Sequence, residues 1–193
     1  MEKIIAGFVL LLMVPGGVNA NPVVYTPLGS DNLGVVAVAA AVKINLKNWK
    51  VTHKLESGSA PEHMIVSKDE KTIYVTNPRT GKIAAVAVDS GKTIKRYSIG
   101  KAVHGLDMGD DGKTFFASSK KDNKLVTVDT ETDVQRELAL SPAPYHLNTI
   151  TDTGKVYVSS RKKPAIWVAD QKTINQIWRN QVASWRGASD GDR

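Results

Sequence analysis

The stretch "TIYVTNPRTGK", Thr72 to Lys82, decides the fold. It reads as a strand of about six β-branched and aromatic residues that runs into a Pro/Gly turn carrying Arg79. The pattern returns as "KTFFASSKKDNK" (113–124) and as "KVYVSSRKKPA" (155–165). Working outward, the segment that begins at Ala60 recurs from Ala102 and from Ala143, at spacings of 42 and 41 residues. Each copy keeps one order: a short apolar strand, an Asp/Gly/Lys turn, a second strand, a basic loop, a third strand ending in Asp, a turn and a fourth strand. Four strands in a period of about 40–45 residues predict β-propeller blades. Helical repeats of that length would place apolar residues at 3.6-residue spacing, which these segments lack.

The flanks are read against this unit. "VVYTP" (23–27) lies over "IYVTNP" and "AVKIN" (41–45) over "AVAVD", so the chain is expected to open with strands two to four of a blade. "ASWRGASDGDR" (183–193) resembles the start of a further unit, and residues 181–193 are expected to be a partial repeat or a closing strand. The fold expected is all-β: a propeller of about four four-stranded blades over residues 21–180, either a ring closed by the C-terminal strand or an open, truncated array. Ahead of it, the run "IIAGFVLLLMV" (4–14) is too short to span a bilayer, and "VNA" (18–20) places small residues where a signal peptide over residues 1–20 is cut. A periplasmic or secreted protein without a membrane span after cleavage is expected.

Composition narrows the chemistry. The chain has no cysteine, which removes disulfides, thiolate nucleophiles and covalent c-type haem. The formal charge of +7 fits anionic partners, but no run of five like charges marks a nucleic-acid tail, and no nucleic-acid partner is expected. Neither a nucleotide-binding Gly loop nor an HExxH helix is present, nor a Ser-His-acid order. "DMGDDGK" is read as a tight turn rather than a calcium loop. Asp89, Asp129 and Asp170, which close the third strands, are read as Asx-type caps on the following turns, and the four tryptophans as packing between blades.

The signature at Tyr74, Val75, Thr76 and Asn77 resembles that of the YVTN-type β-propeller repeat family, literally in one copy and as "FFAS" and "VYVS" in the others. The resemblance covers the chain to about Trp178. It implies an exported propeller, often of seven blades, with relatives among haem-d1-type domains, quinoprotein amine dehydrogenase subunits and lactonases.

Antiparallel strands send alternate loops to opposite faces. The second-to-third loops place Arg79, Lys121 and Arg161 on one face with a single acid, Asp122, whereas six lysines against ten acids give the opposite face a charge of −4. His63, His104 and His146 lie where the fourth-to-first connection enters the inner strand, on the basic face. His104 comes one residue early in its copy, so by strand alternation it is expected to point differently, leaving no three-His metal site. The expected ligand site is therefore His63, His104, His146, Arg79, Lys121 and Arg161, with no catalytic residue. The expected occupant is a small anionic molecule or a protein partner, met by electrostatic recognition. No cofactor follows from the residues themselves; the resemblance implies haem d1 or a quinone for a redox alternative. A truncated propeller without its own function, or a homodimer of half-rings, is the remaining expectation.

Overall fold

The computed structural model describes residues 24–27, 32–37 and 40–181. Among them, sixteen strands form four antiparallel sheets, each of four strands in chain order. The first comprises β1 (Val24–Pro27), β2 (Asn32–Ala37), β3 (Ala40–Asn45) and β4 (Lys50–Leu55). The second comprises β5 (Met64–Val66), β6 (Thr72–Asn77), β7 (Lys82–Ala87) and β8 (Thr93–Ser98). The third runs through β9 (Val103–Met108), β10 (Thr114–Ser119), β11 (Lys124–Asp129) and β12 (Gln135–Ala139), the fourth through β13 (Pro144–Ile150), β14 (Lys155–Ser160), β15 (Ala165–Asp170) and β16 (Gln176–Gln181). These are propeller blades. The signal peptide and the closing strand expected from the sequence lie outside the described residues.

The first sheet corrects one expectation. "VYTP" forms β1, an inner strand, and not the second strand of an incomplete unit; "NLGVVA" fills the second place, pairing Val24 with Val36 on one side and Asn32 with Asn45 on the other. Likeness to the signature misplaced it. A strand's position in a sheet depends on which edges it pairs, and local composition does not carry that information.

Side-chain alternation explains why the second strands are apolar throughout. On β6, Ile73 and Val75 pack against Ala41 and Leu55 of the first sheet, whereas Tyr74 turns to Phe115 and Val103 of the third. On β10, Phe115 and Ala117 meet the second sheet and Phe116 meets Val156, Val158 and Trp167 of the fourth. Both faces of a middle strand are thus buried. Fourth strands carry the exposed residues: β4, β8 and β12 are open along most of their length. Trp178 on β16 is 50% exposed and Trp49, in a turn with φ 56°, is 69% exposed, so only Trp167 packs between blades as expected; Trp185 lies outside the described residues.

Turn chemistry repeats even where residue types change. Asp129 Oδ1 accepts from the amides of Glu131 and Thr132, and Asp170 Oδ1 from those of Lys172 and Thr173, as expected. At the corresponding turn of the second sheet, the Ser90 hydroxyl accepts from the Lys92 amide instead. "DMGDDGK" is the tight turn it was read to be, with Asp111 accepting from the amides of Lys113 and Thr114. The second, third and fourth sheets also have an alanine in the left-handed region just before the inner strand: Ala60, Ala102 and Ala143, at φ 68°, 56° and 51°.

A candidate ligand site on the inner strands

The last residue of each second strand in these three sheets tethers the connection that leads into the inner strand. Asn77 donates to the Ser57 carbonyl, Ser119 to that of Lys101 and Ser160 to that of Pro142, at 2.6–3.0 Å. The hydroxyl one residue earlier holds the inner strand itself. Thr76 Oγ1 accepts from the His63 amide, Ser118 Oγ accepts from the Gly105 amide, and Ser159 donates to the His146 carbonyl. Ser118 also donates to the Tyr145 carbonyl at 2.5 Å, joining the third sheet to the fourth.

Opposite each of these hydroxyl residues the inner strand carries an extra residue. Leu106 pairs with Ala117 but Val103 with Ser119; Leu147 pairs with Val158 but Pro144 with Ser160. In the second sheet, Thr76 bonds the backbone of both Glu62 and His63. Three equivalent bulges therefore present two adjacent residues each: Glu62 and His63, His104 and Gly105, Tyr145 and His146. A bulge suspends strict alternation and re-aims a side chain.

This overturns the expectation that His104 points away. The rings of His63 and His104 lie 4.5 Å apart by centroid, those of His104 and His146 4.9 Å, and those of His63 and His146 5.4 Å. The Nε2 atoms of His63 and His104 are 3.2 Å apart, and the three residues each bring a ring nitrogen within 4.8 Å of the others. His104 is buried, His63 half-buried and His146 exposed.

Two residues overlooked in the sequence complete the cluster. Glu62 Oε2 lies 2.5 Å from His104 Nδ1, whose N–H donates a hydrogen bond to the carboxylate and leaves Nε2 as an acceptor facing His63. Tyr145 stacks on His104 with centroids 3.8 Å apart and planes inclined by 8°. Glu62, His104 and Tyr145 hold the same place in the three repeats, two residues after Ala60, Ala102 and Ala143. That column was the available signal.

The basic residues divide. The Arg161 guanidinium lies 4.9 Å from the Tyr145 ring centre and Lys120 Nζ lies 5.4 Å from it, both within cation–π range. Lys120, rather than Lys121, therefore belongs to the histidine centre. Arg79 and Lys121 instead line a separate cleft of about 690 Å³ between the second and third sheets, together with Gly100, Lys101 and Asp122. The expected single site is thus two places: the bulged strands bring the three histidines together with Arg161, while Arg79 and Lys121 face the connection at Gly100 and Lys101.

Burial keeps the imidazoles neutral. It pushes His63 down to about 4, with the charges of His104 and His146 adding to the effect and Glu62 opposing it. It pushes His104 down to about 3, helped by His146, Lys120 and Arg161. The Glu62 contact works against that shift, but burial dominates at this least exposed of the three rings. His146 moves down for the same first reason, and Arg161 contributes. At neutral pH the cluster offers uncharged nitrogen lone pairs beside two cations.

The model of the lactonase family with a seven-bladed β-propeller matches residues 18–173. The chain belongs to this family. No curated protein matches this lactonase-family chain. Among solved structures, a hydrazine synthase chain from Kuenenia stuttgartiensis is similar at 18% identity, with a TM-score of 0.73 over 81% of this chain. That likeness concerns the fold, and the lactonase-family chain spans 47% of the hydrazine synthase chain.

Proposed function

We propose that this lactonase-family propeller is a binding protein that receives a small carboxylate- or phosphate-bearing anion at the histidine centre, in an exported setting. The observation that carries the reading is the stack of His104 on Tyr145 with Arg161 and Lys120 beside the same ring. Arg presents a planar fork that matches a carboxylate or phosphate, and Lys adds a point charge. The N–H groups of His104 and His63 are engaged with Glu62 and with each other, so among the three rings it is the exposed His146 that can offer an N–H to the anion.

The family name raises a second reading, lactone hydrolysis, which the Glu62–His104 pair supports as an oriented base. The direction of the His104 shift weighs against it: a general base works best with a pKa near the operating pH, and burial moves this imidazole downward, away from it. Binding is the better-supported role.

The test uses chelator-treated protein and calorimetric titration with inorganic phosphate and with succinate at two salt concentrations. A hydrogen bond to a charged group contributes about 1.5–3 kcal/mol, so Arg161→Glu is expected to weaken binding by roughly 10–100-fold. Arg79→Glu, in the separate cleft, is expected to leave it unchanged. Equal affinity in Arg161→Glu and the parent would reject this site. An absorbance band of haem or quinone in protein from its native host would favour the redox propeller that the haem-d1 and quinoprotein resemblance implies.

A further inference from the structure

We infer that His63, His104 and His146 form a binding site for one divalent transition-metal ion of the zinc type, with a fourth coordination position left for an exogenous anion. Three observations carry this beyond the proposed anion binding.

The first is spacing. Two imidazole nitrogens on a tetrahedral zinc ion, each at about 2.0–2.1 Å from it, lie about 3.3 Å from one another. The Nε2 atoms of His63 and His104 are already 3.2 Å apart. The third nitrogen lies within 4.8 Å of both, and His146 is the exposed member of the cluster.

The second is orientation. Metal-bound histidines typically donate their other ring N–H to a carboxylate, which fixes the tautomer and makes the ligating nitrogen more basic. Glu62 does this for His104 at 2.5 Å, on the nitrogen opposite the one that faces His63. The arrangement leaves His104 Nε2 as an acceptor, so the neighbouring His63 Nε2 must donate to it in the metal-free protein. A metal replaces that shared proton when His63 takes the tautomer protonated on Nδ1.

The third is preorganisation. Each histidine sits on a bulge pair anchored by a hydroxyl of the adjacent strand, and Tyr145 stacks flat on His104. The imidazole set suits zinc, copper, nickel or cobalt rather than magnesium or calcium, which require oxygen ligands. Three protein ligands leave one position of four open. Lys120 and Arg161 repel a bare divalent cation, so an anion in that open position offsets the repulsion and raises metal affinity.

The experiment uses untagged, chelator-treated protein titrated with Zn²⁺ alone by calorimetry, and with Co²⁺ alone by absorbance, whose intensity reports tetrahedral coordination. One ion per chain is expected. Glu62→Gln is expected to lose about 10–100-fold in affinity while still binding. His146→Ala, at an exposed position, is expected to fold and to lose at least about tenfold, with thermal melting checking the fold. His53→Ala, on β4 and outside the cluster, is the control and is expected to bind as the parent does. Absence of stoichiometric binding, or parental affinity in His146→Ala, overturns the site. Because no anion is added in these titrations, their failure leaves the phosphate and succinate result standing, and the reverse also holds.

Discussion

Gly105→Ala places one methyl group where two blades touch. Gly105 does not have a positive φ, so an alanine fits its backbone and the outcome depends on space. The added Cβ would lie 2.9 Å from Leu147 N and 3.2 Å from His146 C, and closer still to the Tyr145 carbonyl oxygen. All three are backbone atoms of β13, which cannot rotate away. Carbon contacts are comfortable at about 3.5–4.0 Å, so the third and fourth sheets must part by roughly 0.5–1 Å. Overpacking of this kind costs about 1–3 kcal/mol, against about 0.5–1 kcal/mol gained by removing a glycine from a strand. Two contacts under 3.0 Å with backbone atoms put the cost in the upper part of that range, about 2–3 kcal/mol, so the net expectation is about 1–2.5 kcal/mol of destabilisation. At about 2–4 °C per kcal/mol for a chain of this size, Tm falls by roughly 2–10 °C. Calorimetry and urea unfolding measure it, with an unchanged urea slope showing that only stability moved. An equal or higher Tm would refute the close approach of β9 to β13, and with it the placement of His104 beside His146.

Tyr74→Ala removes a buried ring that meets Phe115 at 5.2 Å and Tyr97 at 6.4 Å, and is expected to cost about 3–5 kcal/mol by urea unfolding; a change below 1 kcal/mol would mean that β6 does not pack on the third sheet. Ser118→Ala strips the Gly105 amide and the Tyr145 carbonyl of their shared partner and is expected to cost about 1–3 kcal/mol, whereas Ser118→Thr should retain the hydroxyl bridge and most of that stability. Stability of the metal-free protein should fall on acidification. His63 and His104 have folded pKa values of about 4 and about 3, depressed from 6.5, so the unfolded chain binds more protons once the pH drops below about 6.5. Their contribution is complete above that pH and is lost as the pH falls through the folded values, by up to about 1.4 kcal/mol per pH unit for each ring. Urea midpoints at pH 7.5, 6 and 5 read the slope. A flat profile there would show the imidazoles to be open to water, because the depressed carboxylates of Asp111, Asp129 and Asp170 act only at lower pH.

The sequence by itself determined the repeat, the four-stranded unit and the placing of His63, His104 and His146 at the entry to the inner strands, because turn residues and buried middle strands are local signals written into every copy. "TIYVTN", "TFFASS" and "KVYVSS" announce strands buried on both faces, and the structure places them so. The sequence also contained the polar pair that ends each of these strands, although its work in tethering the inner strand becomes visible only through the bonds of Thr76, Ser118 and Ser160. Tertiary structure alone decided where the inner-strand side chains point. Counting residues along β9 sends His104 away from its counterparts, but direction is set by register against the neighbouring strand. There one residue of β10, Ser118, faces two of β9. The same bulges gather Glu62, His104 and Tyr145 from sequence positions about forty residues apart, and leave Arg79 and Lys121 to another cleft. Alternation belongs to a single strand, whereas a bulge belongs to a pair, and only the folded sheet specifies the pair.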